Sequence, residues 1–243
     1  MADHYRESPS RITAPSEMSG DLPTKLQTPL LQMEKRRQLI ELAIDARLLS
    51  TKCTNDVQKA VFNLAKSWCL LMKVFLTSVW TGRQITYDDE IDSFYRIVDC
   101  AANTIDQMKS STSNNCDDAP IADSTNFTVG FSVQATLLMV MHKCRDLATR
   151  RRALDLLDQC PQHGGGGLCD AALVKALCHA ILRFEEKNVV AGSGASIPED
   201  DRIHHYLLLP PTDKRKGAAP IVRLYYRPLG YVGFASYDVV LTP

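Results

Sequence analysis

The sequence lacks an excess of charge of either sign. Its 243 residues contain 28 Lys and Arg and 28 Asp and Glu, so the formal net charge is zero. A protein that binds nucleic acid on its own usually carries a basic excess, because it must neutralise phosphate groups. The charge balance therefore argues against direct DNA binding by this chain.

The eight cysteines lack the spacing of a metal or redox motif. They stand at positions 53, 69, 100, 116, 144, 160, 169 and 178, and no two are separated by only two residues. The C-x-x-C pairs of zinc ribbons and dithiol redox sites are therefore absent. We expect no metal and no cofactor, and we interpret most of the cysteines as small core residues in a reducing, intracellular location.

Long apolar runs are also missing. The first segment, MADHYRESPSRITAPSEMSG, has no apolar centre of the kind found in a secretory signal. No apolar run reaches the roughly 18 residues that cross a bilayer, so we expect no membrane association. With 45% hydrophobic and 23% charged residues, the composition is that of an ordinary globular protein.

What is present is mainly a helical pattern. Residues 1–30 are rich in Ser, Pro and Thr, and we expect a disordered segment there. Residues 31–190 carry apolar positions at helical spacing, whereas 191–243 contain the strand-like RIHHYLLL and IVRLYYR, with YVGFASYDVVLT as a candidate third strand. The prediction is a mainly α fold, in which a helical-bundle-like domain precedes a small C-terminal β-hairpin appendage.

Apolar spacing also predicts which helix faces point inward. The strongest periodicity lies between residues 57 and 79, and the segment 131–141 is apolar nearly all round, as in a central buried helix. Thr86 and Asp89 resemble a capping box before the helix that follows them. The apolar positions are Leu39, Leu42, Ala46 and Leu49 in the first helix; Val57, Val61, Leu64, Trp68, Leu71, Phe75 and Val79 in the second; Ile91, Phe94, Val98, Ala101 and Ile105 in the third; Ala153, Leu156, Leu157 and Cys160 in a basic helix; and Leu173, Val174, Leu177, Ile181 and Phe184 in the last.

The four glycines in CPQHGGGGLCDAAL resemble two kinds of catalytic loop. A phosphate-binding loop ends in Gly-Lys-Ser/Thr after a strand, but this run leads into Leu-Cys-Asp after a helix. An esterase needs a Gly-x-Ser-x-Gly elbow, and the nearest match, around Ser132, lacks the second glycine. We interpret the glycines as a helix–helix connection. The alternative is a helical enzyme or small-molecule-binding protein with a pocket near residues 164–167, in which His163, Ser132 and His179 are the residues to substitute.

Two adjacent pairs of polar residues receive simple structural interpretations. His204 and His205 follow each other in a strand-like segment, so we expect them on opposite faces and not on one metal ion. Glu185 and Glu186 end a helix, and a solvated helix terminus accounts for both.

The best candidate for a partner-contact patch is a basic cluster. It consists of Lys143, Arg145, Arg150, Arg151 and Arg152. Such a patch can bind phosphate groups or an acidic partner. The alternative is a solvated helix face that neighbouring aspartates balance. A second basic run, DKRK at 213–216, has the weak nuclear-localisation interpretation of any such run. No catalytic, cofactor-binding or metal-binding residue is predicted.

One stretch resembles a known family. HKCRDLATRRRALDLLDQCPQ, followed by GLCDAALVKALCHAILRFEE, is similar to the C-terminal part of fungal zinc binuclear-cluster transcription factors. Lys143, Cys144, Arg145 and Asp146 match the start of the family's first element, and IPEDDRIHHYLL is similar to its Ile-Pro-Glu-x-x-Arg-Ile motif at the start of a strand. The resemblance covers about residues 65–230, is strongest over 142–208, and consists of packing and turn residues.

The resemblance implies a non-enzymatic, mainly α regulatory domain in the nucleus. Its partners would be other transcription factors or coregulators, or an effector, with a homo- or hetero-dimer as one option. Two interpretations stay open, since the chain could be one part of a zinc-cluster activator or a stand-alone relative that acts through protein contacts.

Two departures from the family pattern limit what the resemblance carries. Cys169 replaces the family's turn tryptophan, which removes on the order of 200 Å² of buried indole surface. The family reads DNA through six cysteines that hold two zinc ions, and no cysteine precedes Cys53 here. Direct DNA binding is therefore not expected of this chain.

Overall fold

A computed structural model describes residues 24–50, 55–81, 84–113, 132–160, 171–188, 197–209, 219–230 and 233–241. Over these residues the chain is mainly α-helical with a small antiparallel sheet near the C-terminal end, which confirms the predicted fold class. A 3-10 helix, Gln84–Glu90, leads into the third helix, and a second, Glu199–Asp201, precedes the first strand. The helices are α1 (Thr24–Leu49), α2 (Asp56–Thr81), α3 (Ile91–Ser113), α4 (Val133–Lys143), α5 (Leu147–Gln159) and α6 (Ala171–Glu185); the strands are β1 (Ile203–Leu209), β2 (Ile221–Tyr226) and β3 (Ala235–Val240).

The described residues belong to two compact units. The helical unit lies within Gly20–Ala171 and contains α1 to α5, and the sheet unit lies within Ala172–Pro243 and contains α6 with the three strands. The sequence instead predicts a division at 190/191, because α6 has the same amphipathic spacing as the helices before it. The contacts of its last turn with the sheet, described below, explain why α6 groups with the strands.

The core of the helical unit forms around α2, which contacts α1, α3 and α4. Helix α3 buries the face that its spacing predicts, except that Ile91 at its start is 39% exposed. The segment that the sequence predicts as a central buried helix forms α4. Helix α5 buries the apolar positions that are predicted for it. The fully buried apolar side chains of this unit include Leu70, Leu71, Val74, Phe94, Ile97, Val98, Leu137, Val140, Met141 and Ala153.

Helix α2 buries only part of the face that its apolar spacing predicts, since Leu71 is fully buried but other predicted positions are not. Val57 and Val61 are 53% and 60% exposed, whereas Asn63 and Ser67 are buried. The Asn63 amide donates to the Gln107 side-chain oxygen of α3 at 3.2 Å, and the Ser67 hydroxyl donates to a carbonyl of its own helix at 2.7 Å. Small polar side chains with hydrogen-bond partners can therefore occupy the α2–α3 contact in place of larger apolar ones.

Part of α2 has the length and composition of a membrane span. The stretch Asp56–Val79 passes a simple hydropathy test for crossing a bilayer, on length and composition only. The central helix of a bundle passes the same test. Leu70, Leu71 and Val74 in this stretch are fully buried within the protein, and 39% of the apolar window is buried.

Helix α1 packs on α2, where Lys66 pairs with Asp45 at 2.5 Å, and charged side chains occupy much of its inner face. The Arg37 side chain is 8% exposed and donates to Glu34 at 2.7 Å and also to Glu41. This hydrogen bond lowers the pKa of Glu34, although burial opposes the shift. Arg96 of α3 reaches Glu41 at 3.1 Å, and Ile44 is the buried apolar side chain of α1. Charges therefore occupy the inner face of this helix.

The predicted apolar stripe of α1 faces solvent. Leu39, Leu42 and Leu49 are 67%, 66% and 85% exposed. Helix α1 also begins at Thr24, so residues 24–30 are helical and not disordered as predicted, while 1–23 lie outside the described residues. Apolar spacing locates the apolar face of a helix but does not show whether the rest of the protein covers that face.

The start of α3 differs from the predicted capping box. Thr86 and Asp89 lie inside the 3-10 helix, and Glu90 accepts from the Ser93 hydroxyl at 2.6 Å and from the Lys73 ammonium at 2.9 Å. Burial raises the pKa of Glu90, but these hydrogen bonds outweigh it and leave the pKa lowered. Glu90 thus stays ionised as it ties the start of α3 to α2.

The sheet has the strand order β1-β2-β3, with both neighbouring pairs antiparallel. The hairpin of β1 and β2 confirms the predicted strands, and β3 confirms the candidate third strand. One face of the sheet meets the end of α6, where the Phe184 ring lies 4.8 Å from the Tyr226 ring and 5.3 Å from the Tyr237 ring. These aromatic contacts hold α6 to the sheet.

Glu185 is part of this junction and not of a solvated terminus. Its side chain is fully buried, and its Oε1 accepts from the backbone N–H of Ile203, the first residue of β1, at 2.7 Å. Next to it, the buried Arg202 donates to the Ile197 carbonyl at 3.1 Å. The interpretation of Glu185 as solvated is wrong, because the N–H of the buried Ile203 needs an acceptor and Glu185 supplies it.

Replacing Arg37 should loosen α1. Arg37→Ala removes charged hydrogen bonds worth about 1.5–3 kcal/mol and leaves Glu34 and Glu41 without their shared cation on the inner face of the helix. Hydrogen exchange of the α1 amides should therefore speed up in this variant. Arg36→Ala, at an exposed neighbouring position, is the control and should leave exchange unchanged. Equal exchange in both variants would contradict the charge-held docking of α1.

Replacing Glu185 should destabilise the sheet unit. Glu185→Ala leaves the Ile203 N–H without its acceptor, at a cost of about 1–3 kcal/mol, and urea unfolding followed by tyrosine fluorescence measures the loss. Asp200→Ala, at a partly exposed position nearby, serves as the control. An unfolding midpoint for Glu185→Ala equal to that of Asp200→Ala would show that the hydrogen bond does not stabilise this unit.

Candidate partner-contact surface

The predicted basic patch surrounds a tight turn between α4 and α5. Ser132 precedes α4, and its hydroxyl accepts from the backbone N–H of Ala135 at 3.0 Å. Asp146 precedes α5, and its carboxylate accepts from the Thr149 N–H and hydroxyl, each at 2.7 Å. Both are N-caps, which satisfy the free N–H groups of the first turn. Ser132, an alternative nucleophile in the sequence, therefore has a structural role.

Three members of the predicted patch are buried. Lys143, Arg145 and Arg150 are 6%, 2% and 0% exposed. The Lys143 ammonium lies 5.3 Å from the centre of the Tyr87 ring, and Arg145 donates to the His142 carbonyl at 2.7 Å. These side chains pack the α4–α5 turn from within, so they do not form an exposed patch with the other two arginines.

The position of each arginine on α5 explains why some members of the predicted patch are buried and others are exposed. Thr149, Arg150 and Ala153 lie on the buried face of the helix, and Arg151 lies on its exposed face. Consecutive helical positions differ by about 100° in direction, so a run of three arginines cannot share one environment. The run of arginines in the sequence therefore predicts more exposed charge than the folded helix has.

Arg152, which is half-buried, forms a smaller surface with α3. The Arg152 guanidinium pairs with the Asp99 carboxylate at 2.6 Å and lies 5.3 Å from the centre of the Tyr95 ring, and Tyr95 is 52% exposed. We call Tyr95, Arg96, Asp99, Arg151 and Arg152 the α3–α5 surface. Sequence reasoning missed Tyr95 and Asp99, although their spacing of four on one helix face, outside the predicted apolar stripe, was a usable signal.

The thiols of the helical unit behave as core groups. Cys100, Cys144 and Cys160 are buried, and burial raises the pKa of each thiol to about 11. Thiols with such pKa values are protonated near neutral pH and are poor nucleophiles or metal ligands. Cys178 in the sheet unit is also buried. These four cysteines confirm the prediction of core residues, whereas Cys69 of α2 is half-buried, and Cys53, Cys116 and Cys169 lie outside the described residues.

The two adjacent histidines of β1 depart from strand alternation. The pairing of β1 with β2 shifts register between Ile203 and His205. As a result, the rings of His204 and His205 lie 5.1 Å and 5.3 Å from the ring of Phe234, so both contact the same side chain. The expectation of opposite faces assumed a regular strand, and a bulge breaks that regularity. Within the described ranges, no three His, Cys, Asp or Glu side chains are grouped to hold a metal ion.

Several sequence features lie outside the described residues. The glycine run with His163, and the basic turn at 213–216, are among them. His179 lies at an exposed position of α6. The pocket that an enzymatic alternative would need around residues 164–167 is thus not described, and no observation favours that alternative.

Comparisons with known proteins identify no relative of this chain. No protein-family model, no curated protein and no solved structure matches the chain.

The buried and exposed arginines of α5 should differ in their effect on stability. Arg150→Ala opens a space in the core and disturbs the groups around a buried guanidinium, so it should lower the free energy of unfolding by about 3 kcal/mol or more. Arg151→Ala, its neighbour, should change it by less than about 0.5 kcal/mol. Thermal unfolding of the two variants measures the difference. A larger loss in Arg151→Ala would mean that the described faces of α5 are reversed.

Proposed function

We propose that the chain is a regulatory domain of a transcription-regulator-like protein related to the fungal zinc binuclear-cluster factors, and that it acts in the nucleus through protein contacts. The observation that carries the proposal is the α3–α5 surface, where the exposed Tyr95 lies against Arg152, with the exposed Arg151 next to it on α5. Tyrosine and arginine are the residues enriched at the centres of protein interfaces.

The resembling residues support the proposal through packing. Lys143, Cys144 and Arg145 are buried at the α4–α5 turn, and Asp146 caps α5. Ile197, Arg202 and Ile203 are buried at the start of β1. A family pattern made of packing and turn residues should occupy such positions, whereas a catalytic pattern would converge on one cleft.

The partner in this proposal is another transcription factor or a coregulator with an acidic contact segment. Arg151 and Arg152 favour carboxylates, and Tyr95 supplies an apolar face beside them. The proposal gives this chain no DNA-reading role, because its net charge is zero and it carries no paired zinc-cluster cysteines. The resemblance implies a non-enzymatic domain.

A tethering assay tests the proposal. The full chain is fused to an unrelated DNA-binding module and expressed in a fungal cell that carries a matching reporter gene. The fusion should change reporter output several-fold in either direction. Arg151→Glu should abolish most of that change, because it reverses a charge on the α3–α5 surface without touching the core. Arg183→Glu, an exposed charge reversal on α6, is the matched control and should keep it.

Two outcomes would count against the proposal. A folded, nuclear fusion that leaves reporter output unchanged would remove the regulatory function. Equal loss in Arg151→Glu and Arg183→Glu would remove the α3–α5 surface as the contact site, since general charge and not position would then matter.

A further inference from the structure

The guanidinium of Arg152 lies between a carboxylate and an aromatic ring. Its Nη2 is 2.6 Å from Asp99 Oδ1, and its Cζ is 5.3 Å from the centre of the Tyr95 ring. Arg152 belongs to α5, whereas Tyr95 and Asp99 are about one turn apart on α3. The side chains of Arg152 and Asp99 are 40% and 42% exposed, and Tyr95 is exposed beside them. Another protein can therefore reach all three groups.

Proteins bind a carboxylate of another molecule with the same set of groups. The edge of a guanidinium donates to carboxylate oxygens, while its flat face lies over an aromatic ring. A guanidinium carries five N–H donors, so one carboxylate leaves donors for a second. Asp99 thus occupies a carboxylate-binding position of Arg152 without using all of its donors.

The Asp99–Arg152 ion pair holds little of the fold together. Water screens the attraction between two partly exposed side chains, and ion pairs of this kind contribute little to stability. The contact between α3 and α5 has its own buried side chains directly behind the pair, Cys100 and Ala153. Asp99 can therefore leave Arg152 while the packing of the two helices stays as it is.

We propose that Asp99 is an internal competitor for the acidic partner of the α3–α5 surface. Asp99 occupies Arg152 in the free chain, and a carboxylate of the partner displaces it on binding. The competition lowers the affinity for acidic partners, because Asp99 must first give up Arg152. This inference rests on the proposed function, since it takes the α3–α5 surface as the contact site.

Tyr95 determines what the partner carries besides its acid. A small anion such as acetate can take the place of Asp99, but it leaves the Tyr95 ring in water. A partner with an apolar side chain next to its carboxylate covers the ring as well, which adds the burial of an aromatic surface. The surface therefore selects acidic segments that contain apolar residues over runs of acidic residues alone.

Fluorescence polarisation tests the competition. The probe is a short labelled peptide of glutamates interrupted by single leucines, titrated with the intact chain at physiological ionic strength. Asp99→Asn keeps the size of the side chain and removes its charge, so the peptide should bind about fivefold more tightly than to the wild-type chain. Asp99→Ser, a second neutral variant, should show the same gain.

Asp106→Asn is the matched control for a general effect of charge. Asp106 is also an exposed acid on α3, but it lies about 10 Å further along the helix, where salt screens its charge from Arg152. This variant should change the affinity for the peptide by less than about twofold.

A double variant shows whether the gain acts through Arg152. Arg152→Gln alone should weaken peptide binding, because it removes the guanidinium that receives the partner's carboxylate. When Asp99→Asn is combined with Arg152→Gln, the fivefold gain should disappear, since Asp99 then has nothing to compete for.

A second peptide tests the role of Tyr95. With serines in place of the leucines, the peptide keeps its charge but should bind the wild-type chain more weakly. Tyr95→Ala should remove the difference between the two peptides. A difference of the same size in Tyr95→Ala would overturn the assignment of the apolar contact to Tyr95.

Four results would overturn the competition. The first is an affinity of Asp99→Asn and Asp99→Ser that equals or falls below that of the wild type. The second is a gain that Asp106→Asn matches, and the third is a gain that persists in the double variant. The fourth is a folded chain that does not bind the peptide in any variant. Circular dichroism shows whether each variant is folded.

The tethering assay separates this inference from the proposed function. A fusion that changes reporter output, in a chain whose affinity does not respond to Asp99→Asn, would remove the competition and keep the regulatory function. A chain whose affinity does respond, but whose nuclear fusion leaves reporter output unchanged, would keep the carboxylate site and remove the regulatory function.

Discussion

The buried guanidinium of Arg37 is the central group of the charged inner face of α1, which the Lys66–Asp45 and Arg96–Glu41 ion pairs join to α2 and α3. It holds two carboxylates of its own helix, and one of them, Glu41, also receives Arg96 from α3. A charged group inside a protein requires such partners, and here they decide which face of α1 points inward. The leucines of α1 are left at the surface as a consequence.

Buried polar groups recur at the other joints of the molecule. Lys143, Arg145 and Arg150 pack the α4–α5 turn, and Glu185 joins the end of α6 to β1. Such groups fix geometry more strictly than apolar contacts do, because each needs a partner at a set distance and angle. In both units, charged side chains lie where the elements meet. Apolar and aromatic side chains such as Leu42 and Tyr95 remain exposed at the surface of the helical unit, where another molecule can contact them.

The sequence predicted the elements better than it predicted their environment. Helix spacing located α3 to α6, and alternating apolar residues located the strands, because both signals depend on local periodicity. The buried face of α1 and part of that of α2 were predicted incorrectly. Asn63 is an inner residue that pairs with Gln107, a partner distant in sequence, and Arg37 is an inner residue that pairs with carboxylates of its own helix, which apolar spacing does not register. The prediction of an exposed basic patch was wrong because sequence alone does not show which residues lie inside. A run of arginines predicts charge, but the rotation of α5 decides that Arg150 is inside and Arg151 is outside.

Hydroxyl-radical footprinting of the chain tests this inside-out arrangement most directly, because oxidation of a side chain reports its exposure to water. The account predicts fast oxidation of Leu39 and Leu42 and slow oxidation of Ile44 on the same helix. On α3, Tyr95 should react and Phe94 should not, since they are 52% and 0% exposed. If Ile44 reacted as fast as Leu42, α1 would dock through its leucines, and neither its charged inner face nor its exposed apolar stripe would exist.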